Sequence, residues 1–241
     1  MRVVPPLPAG YDAPLIEQGW RAMRVRVKIC GITSLGDAQL AAAAGVDAVG
    51  MVFCTGSPRA VDVQVARDIV AAVGPFICTV ALFVNPTRSE VEDVISGVKP
   101  DLLQFHGDEP QQFCEGFGVP YIKVLKVGSS RVDAALLASH PAARGLLLDT
   151  LDPQRHGGTG RRFDWSLAPA GSGRPIVLAG GLDADNVEEG IRSVRPWAVD
   201  VSSGVESSPG QKDPVKVGRF MRAVERANVA LQGPSSGADI E

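Results

Sequence analysis

The chain contains no C-x-x-C pair: Cys30, Cys54, Cys78 and Cys114 lie far apart, and none has a histidine at metal-ligand spacing. That argues against a disulfide framework and a zinc site, and it points to a reducing cytoplasm. No apolar stretch approaches the roughly 18 residues that a membrane span needs. Pro5, Pro6 and Pro8 stand where a signal peptide carries its apolar segment, so no export is expected. Neither sign of charge dominates. Twenty-four Lys and Arg face 27 Asp and Glu, for a net charge of −3 and a pI near 5.7. Because the basic residues are dispersed, no electrostatic footprint for nucleic acid or an anionic membrane is visible.

What is present is enough apolar material for a full core, 45% hydrophobic over 241 residues, and a repeating pattern. Short β-branched or leucine-rich runs at 25–30, 48–53, 78–84, 101–105, 121–126, 145–149, 175–179 and 198–202 alternate with amphipathic stretches. Such alternation is the signal of successive βα units on a parallel sheet. Eight units predict a single (β/α)8 TIM barrel with eight parallel strands, α/β in class, over 23–229. A doubly wound open sheet is the alternative, since periodicity does not show closure. Residues 1–22 read as an irregular N-terminal extension and 230–241, with Gly233-Pro234-Ser235-Ser236, as a flexible C-terminal tail.

Several helix starts announce themselves. Ser34 with Asp37 three residues on is a capping-box variant, Asn85 precedes Pro86 at a first helical position, and Asp183 can cap the helix holding Val187 and Ile191. After strand six, His156-Gly157-Gly158-Thr159-Gly160 leads only to a short Asp164–Leu167 segment, which marks that loop as a working part. Ala179-Gly180-Gly181-Leu182 follows strand seven and Ser202-Ser203-Gly204-Val205 follows strand eight. Two adjacent glycine loops at the C-terminal rim favour a phosphate site built from backbone N–H groups, although such glycines also serve plain tight turns. Gly158 can lend a further amide.

Two strand ends carry reactive groups. Cys30 closes Val25–Cys30 just before Gly31, and the capped helix start at Ser34 is expected to pull its thiol below the usual value of about 8.5. Asp149 ends a run of three leucines, where partial desolvation is expected to keep it protonated long enough to act as an acid. A capping or salt-bridged aspartate is the plainer reading. Cys54, Cys78 and Cys114 read as small buried hydrophobes. Arg59, after strand two, can clamp a carboxylate or simply be solvated. His106, ending strand four, reads as a satisfied polar histidine before a proton shuttle, and counts as a substrate-binding position.

Taken in order, Lys28-Ile29-Cys30-Gly31-Ile32-Thr33, Leu82–Asn85, Gln104-Phe105-His106-Gly107, Leu148-Asp149-Thr150, Gly157–Gly160 with Phe163-Asp164-Trp165, Ala179–Leu182 and Val199–Glu206 resemble the phosphoribosylanthranilate isomerase family over residues 24 to about 228. The resemblance implies a (β/α)8 barrel. It also implies an Amadori rearrangement of N-(5-phosphoribosyl)anthranilate to 1-(2-carboxyphenylamino)-1-deoxyribulose 5-phosphate in tryptophan biosynthesis, with neither metal nor organic cofactor. Carried over, the general base falls on Cys30 and the general acid on Asp149. The carboxylate-binding arginine falls on Arg59, and the phosphate-binding backbone on Gly180, Gly181, Ser202, Ser203 and Gly204. Ala60 departs from many relatives, which carry an aromatic residue there. The only partner implied is a phosphorylated sugar substrate, handled by a monomer or homodimer. A histidine-pathway sugar-phosphate isomerase is the nearest rival, but it resembles an enzyme with carboxylates at both catalytic strand ends. A non-enzymatic metabolite-binding barrel is the other.

Overall fold

The computed structural model describes residues 24–151, 162–169 and 172–232. The expected extension at 1–22 and Gly158 lie outside the described residues.

Eight short strands form because each run is rich in Val, Ile and Leu and is buried on both faces. They are β1 (Arg26–Cys30), β2 (Ala48–Val52), β3 (Cys78–Phe83), β4 (Leu102–Phe105), β5 (Tyr121–Val127), β6 (Gly145–Thr150), β7 (Ile176–Leu178) and β8 (Ala198–Val201). They pair in chain order, all parallel, and β8 closes on β1 with Ile29 opposite Val201. The sheet is therefore a closed barrel, and the open-sheet alternative is excluded. Around it run α1 (Leu35–Ala43), α2 (Val63–Val73), α3 (Arg88–Val98), α4 (Gln111–Cys114), α5 (Ala134–Ala138), α6 (Val187–Val194) and α7 (Pro214–Gln232). Among the described residues no helix is long and apolar enough to cross a membrane.

The two-residue period of each strand sorts its side chains. Ile29, Met51, Phe83, Phe105 and Leu148 point outward into the main core beneath the helices, with Ile191 and Phe220 packed from outside. Ile122, Val124, Leu147, Val177 and Ala198 fill the middle of the barrel. Nearer the C-terminal mouth the inward positions turn polar, and the site is assembled there.

Local details refine the sequence reading. Ser34 does accept from the Asp37 N–H at 3.1 Å, but the Asp37 carboxylate turns to the Lys212 N–H at 3.3 Å instead of closing the box. The third helix does not start at Pro86. Asn85 adopts φ +47° and accepts from the Asp108 N–H, so the start moves to Thr87, which forms a full capping box with Glu90. Asp183 caps the turn leading into α6, accepting from the Asp185 and Asn186 N–H groups. Among the described residues the sixth unit has a 3-10 turn at Trp165–Leu167, capped by Asp164. Helix α7 runs to Gln232, past the expected end of the barrel at 229, because Leu231 still packs on the core. Of the three cysteines read as buried, Cys114 is; Cys54 and Cys78 are half-buried. An antiparallel hairpin of β9 (Glu206–Ser208) and β10 (Gln211–Lys212) follows β8, and no sequence signal had marked it.

Candidate active site

Cys30 occupies the last inward position of β1, paired with Gly50 of β2. It shares an apolar patch with Val52 and Leu82, extended by Cys54 and Val84. Two residues earlier on the same face, Lys28 donates to both oxygens of Asp200 on β8, at 2.9 and 3.0 Å. The expected depression of the Cys30 thiol is not what the structure gives. Burial pushes it above its usual value, with Lys28 and Lys212 pulling down and Asp200 pushing up. Burial also acts against the charged Lys28, but Asp200 and Cys30 outweigh it and raise the ammonium.

Across the mouth, Asp149, one residue before the end of β6, faces inward and is buried. One oxygen accepts from the Thr150 N–H at 2.8 Å, and the other lies 3.1 Å from His106 Nε2. His106 is thus a satisfied polar histidine, as expected, with the Asp149 carboxyl as its partner. Its loop is pinned from behind: Glu109 accepts from the Asn85 and Gly107 N–H groups and from Lys123 Nζ at 2.6 Å, while Lys123 also donates to the Gly107 carbonyl.

The glycine loops meet between the ends of β6 and β1. Gly180 adopts φ +84°, a conformation that L side chains avoid, and a methyl group there would come within 3.0 Å of Asp149 Oδ1. Gly204 abuts the Leu182 carbonyl so closely that a side chain would overlap it, which brings the loops after β7 and β8 into contact. Asn186 Nδ2 holds the Gly181 carbonyl at 2.8 Å. Among the described residues the N–H groups of Gly180, Gly181, Ser203 and Gly204 donate to no backbone acceptor. Ser202 Oγ is buried without a partner there. Backbone N–H groups without acceptors beside a buried, unpartnered hydroxyl are the kind of donor set that takes an anion.

Arg59 is not solvated. Its Nε and Nη2 fork onto Glu206, at 2.8 and 2.7 Å, and Glu206 also accepts from Lys212 at 2.7 Å. Lys212 in turn donates to the Cys30 carbonyl at 2.7 Å. Burial alone would raise Glu206, but the bonds from Arg59 and Lys212 prevail and hold it below its ordinary value. The predicted clamp therefore has one edge spent on a protein carboxylate. Its Nη1 edge bonds nothing among the described residues.

Sequence reasoning missed Lys28, Asp200, Glu206 and Lys212. The signal was available in part: a charged residue at an inward position of an otherwise apolar strand, two residues before Cys30 or Ser202, has no cheap reason to be there.

A model of the N-(5'-phosphoribosyl)anthranilate (PRA) isomerase family matches residues 27–223. The chain belongs to this family. N-(5'-phosphoribosyl)anthranilate isomerases from Pseudomonas fluorescens and Pseudomonas putida are 54% and 55% identical to it, over 86% and 84% of this chain and 99% and 98% of theirs. The crystal structure of phosphoribosyl anthranilate isomerase from Thermotoga maritima superposes with a TM-score of 0.76 at 40% identity, covering 84% of this chain and 99% of that one. A further solved isomerase, in complex with reduced 1-(o-carboxyphenylamino)-1-deoxyribulose 5-phosphate, gives 0.70 at 37% identity with the same coverage. The chain is an enzyme of this isomerase class, and the histidine-pathway rival has no support among these matches.

Proposed function

We propose that this phosphoribosylanthranilate isomerase rearranges N-(5-phosphoribosyl)anthranilate to 1-(2-carboxyphenylamino)-1-deoxyribulose 5-phosphate with Asp149 as acid and Cys30 as base. The observation carrying the residue assignment is that both take the last inward positions of β1 and β6 at one rim, with the Gly180 loop packed against Asp149. Phosphate docks on the unpaired N–H groups of Gly180, Gly181, Ser203 and Gly204, with Ser202 Oγ as a further donor. The anthranilate carboxylate takes the open Nη1 edge of Arg59, and its ring lies on the apolar patch of Val52, Leu82 and Val84. With both ends held, the ribose spans the mouth between acid and base.

Protonated Asp149 delivers its proton to the ring oxygen as the C1–O bond breaks, while the aniline nitrogen forms the iminium. The cationic iminium acidifies C2–H. The Cys30 thiolate takes that proton, the C–H electron pair becomes the enolamine double bond, and tautomerisation gives the ketone. His106, 3.1 Å from Asp149, holds the carboxyl in place. With four free cysteines the protein suits a reducing cytoplasm.

The test is the fluorescence decay of phosphoribosylanthranilate on purified protein. Cys30→Ala and Asp149→Asn are each expected to lose on the order of 10²-fold or more in turnover, with smaller changes in KM. Near-normal turnover in either variant removes that residue from the mechanism.

A further inference from the structure

The interior of the mouth poses an electrostatic problem that the reaction above does not resolve. Burial opposes ionisation of Cys30, yet a neutral thiol is a poor base. Some feature of the barrel must supply a counter-charge.

Three cations, Lys28, Arg59 and Lys212, stand around Cys30 against two carboxylates, Asp200 and Glu206. Arg59 and Lys212 both spend themselves on Glu206. Lys28 differs in place and in access. Its ammonium lies on the same inward face as Cys30, two residues below it, with its side chain 6% exposed. A glycine stands opposite: a methyl at Gly50 would meet Cys30 Sγ at 2.8 Å and Lys28 Nζ at 3.0 Å. The sulfur and the ammonium therefore border one small space, and that space exists because position 50 has no side chain. Glycine weakens a buried strand, so its presence in the middle of β2 calls for such a close approach.

We propose that Lys28, steered by Asp200 and admitted by Gly50, is the positioning residue that supplies the counter-ion for the Cys30 thiolate. This rests on the reading of Cys30 as base. Asp200 holds the ammonium beside the sulfur by accepting from it with both oxygens, and it competes with the sulfur for the same charge. When the thiolate accepts the C2 proton it becomes neutral, and the lysine charge returns to Asp200. The pair thus serves as a charge reservoir under the base.

Signs separate this role from a scaffold role. Removing both charges with Lys28→Met/Asp200→Asn leaves no unpaired ion in the barrel and deprives the sulfur of its counter-ion. Asp200→Asn alone removes the competitor and leaves the ammonium to the sulfur. The readout is alkylation of Cys30 by iodoacetamide across pH, followed by mass spectrometry of the Cys30 peptide so that Cys54, Cys78 and Cys114 do not interfere. The thiolate is the reacting species, and the other charged groups facing it, Arg59 and Lys212 with Glu206, and Asp149 with His106 across the mouth, are unchanged in every arm. At about pH 7.5 the double variant is expected to react about tenfold more slowly than wild type, one unit of pKa. Asp200→Asn is expected to react faster, and Lys28→Arg to retain much of the wild-type rate. A folded double variant alkylated at the wild-type rate, or an Asp200→Asn protein no faster than wild type, overturns the proposal. If the double variant does not fold, the Asp200→Asn arm decides alone. None of these rates involves substrate, so a failure of the isomerase reading shows separately, as wild-type protein without turnover of phosphoribosylanthranilate.

Discussion

Arg59 carries the most specific consequence among single residues. Its guanidinium is oriented before any ligand arrives, by two bonds to Glu206, so substrate binding does not have to immobilise a long side chain. Arg59→Ala is expected to raise KM about tenfold or more with a smaller effect on kcat, one lost charge-assisted contact being worth about 1.5–3 kcal/mol. Steady-state kinetics check the split, and an unchanged KM counts against the clamp. The same cluster sets an acid limit. Glu206 has its carboxyl held below its ordinary 4.5 by Arg59 and Lys212, so the ionised form is favoured in the fold. Stability from this group is complete above about pH 4.5 and is lost as pH falls through the lowered folded value. Glu206→Gln is expected to melt lower at neutral pH and to lose less of its melting temperature than wild type on acidification, as measured by thermal denaturation between neutral pH and about pH 3.5.

Elements show how much the sequence already disclosed. Eight βα units were countable because each strand is a short apolar run bounded by turn residues, and the glycine loops after β7 and β8 stand out by composition. What stayed hidden was tertiary. The full cap at Thr87 was passed over for Asn85–Pro86, because only the long-range bonds from Asn85 to Asp108 and Glu109 show why the chain turns there. The Cys30 thiol was expected low from its local neighbours, whereas burial by distant strands prevails. The β9–β10 hairpin, whose β9 segment is only three residues long, carries too little pattern to be read. Two predictions belong at this scale. Thr87→Ala is expected to cost about 1 kcal/mol in urea unfolding, with turnover unchanged. Gly204→Ala forces the β8 loop away from the Leu182 carbonyl and is expected to lower kcat/KM on the order of 10²-fold through misplaced phosphate; a fully active variant would show that the two loops do not act together.

For the whole molecule, closure of β8 on β1 is what unites Cys30, the loops after β7 and β8, and Arg59, since each comes from a different part of the chain. All eight strands lie within residues 26–201, and the family match begins at residue 27. A chain starting at Met23 is therefore expected to fold and to turn over substrate as the full chain does, and a truncated protein that precipitates or is inactive would show that residues 1–22 matter.

The bond from Lys212 to the Cys30 carbonyl joins groups 182 residues apart. During synthesis on the ribosome, Cys30 leaves the exit tunnel long before Lys212 is translated. The nascent polypeptide therefore carries the end of β1 without the Lys212 bond to its carbonyl until nearly the entire barrel has emerged. A messenger broken before codon 212 yields a product that lacks this tether.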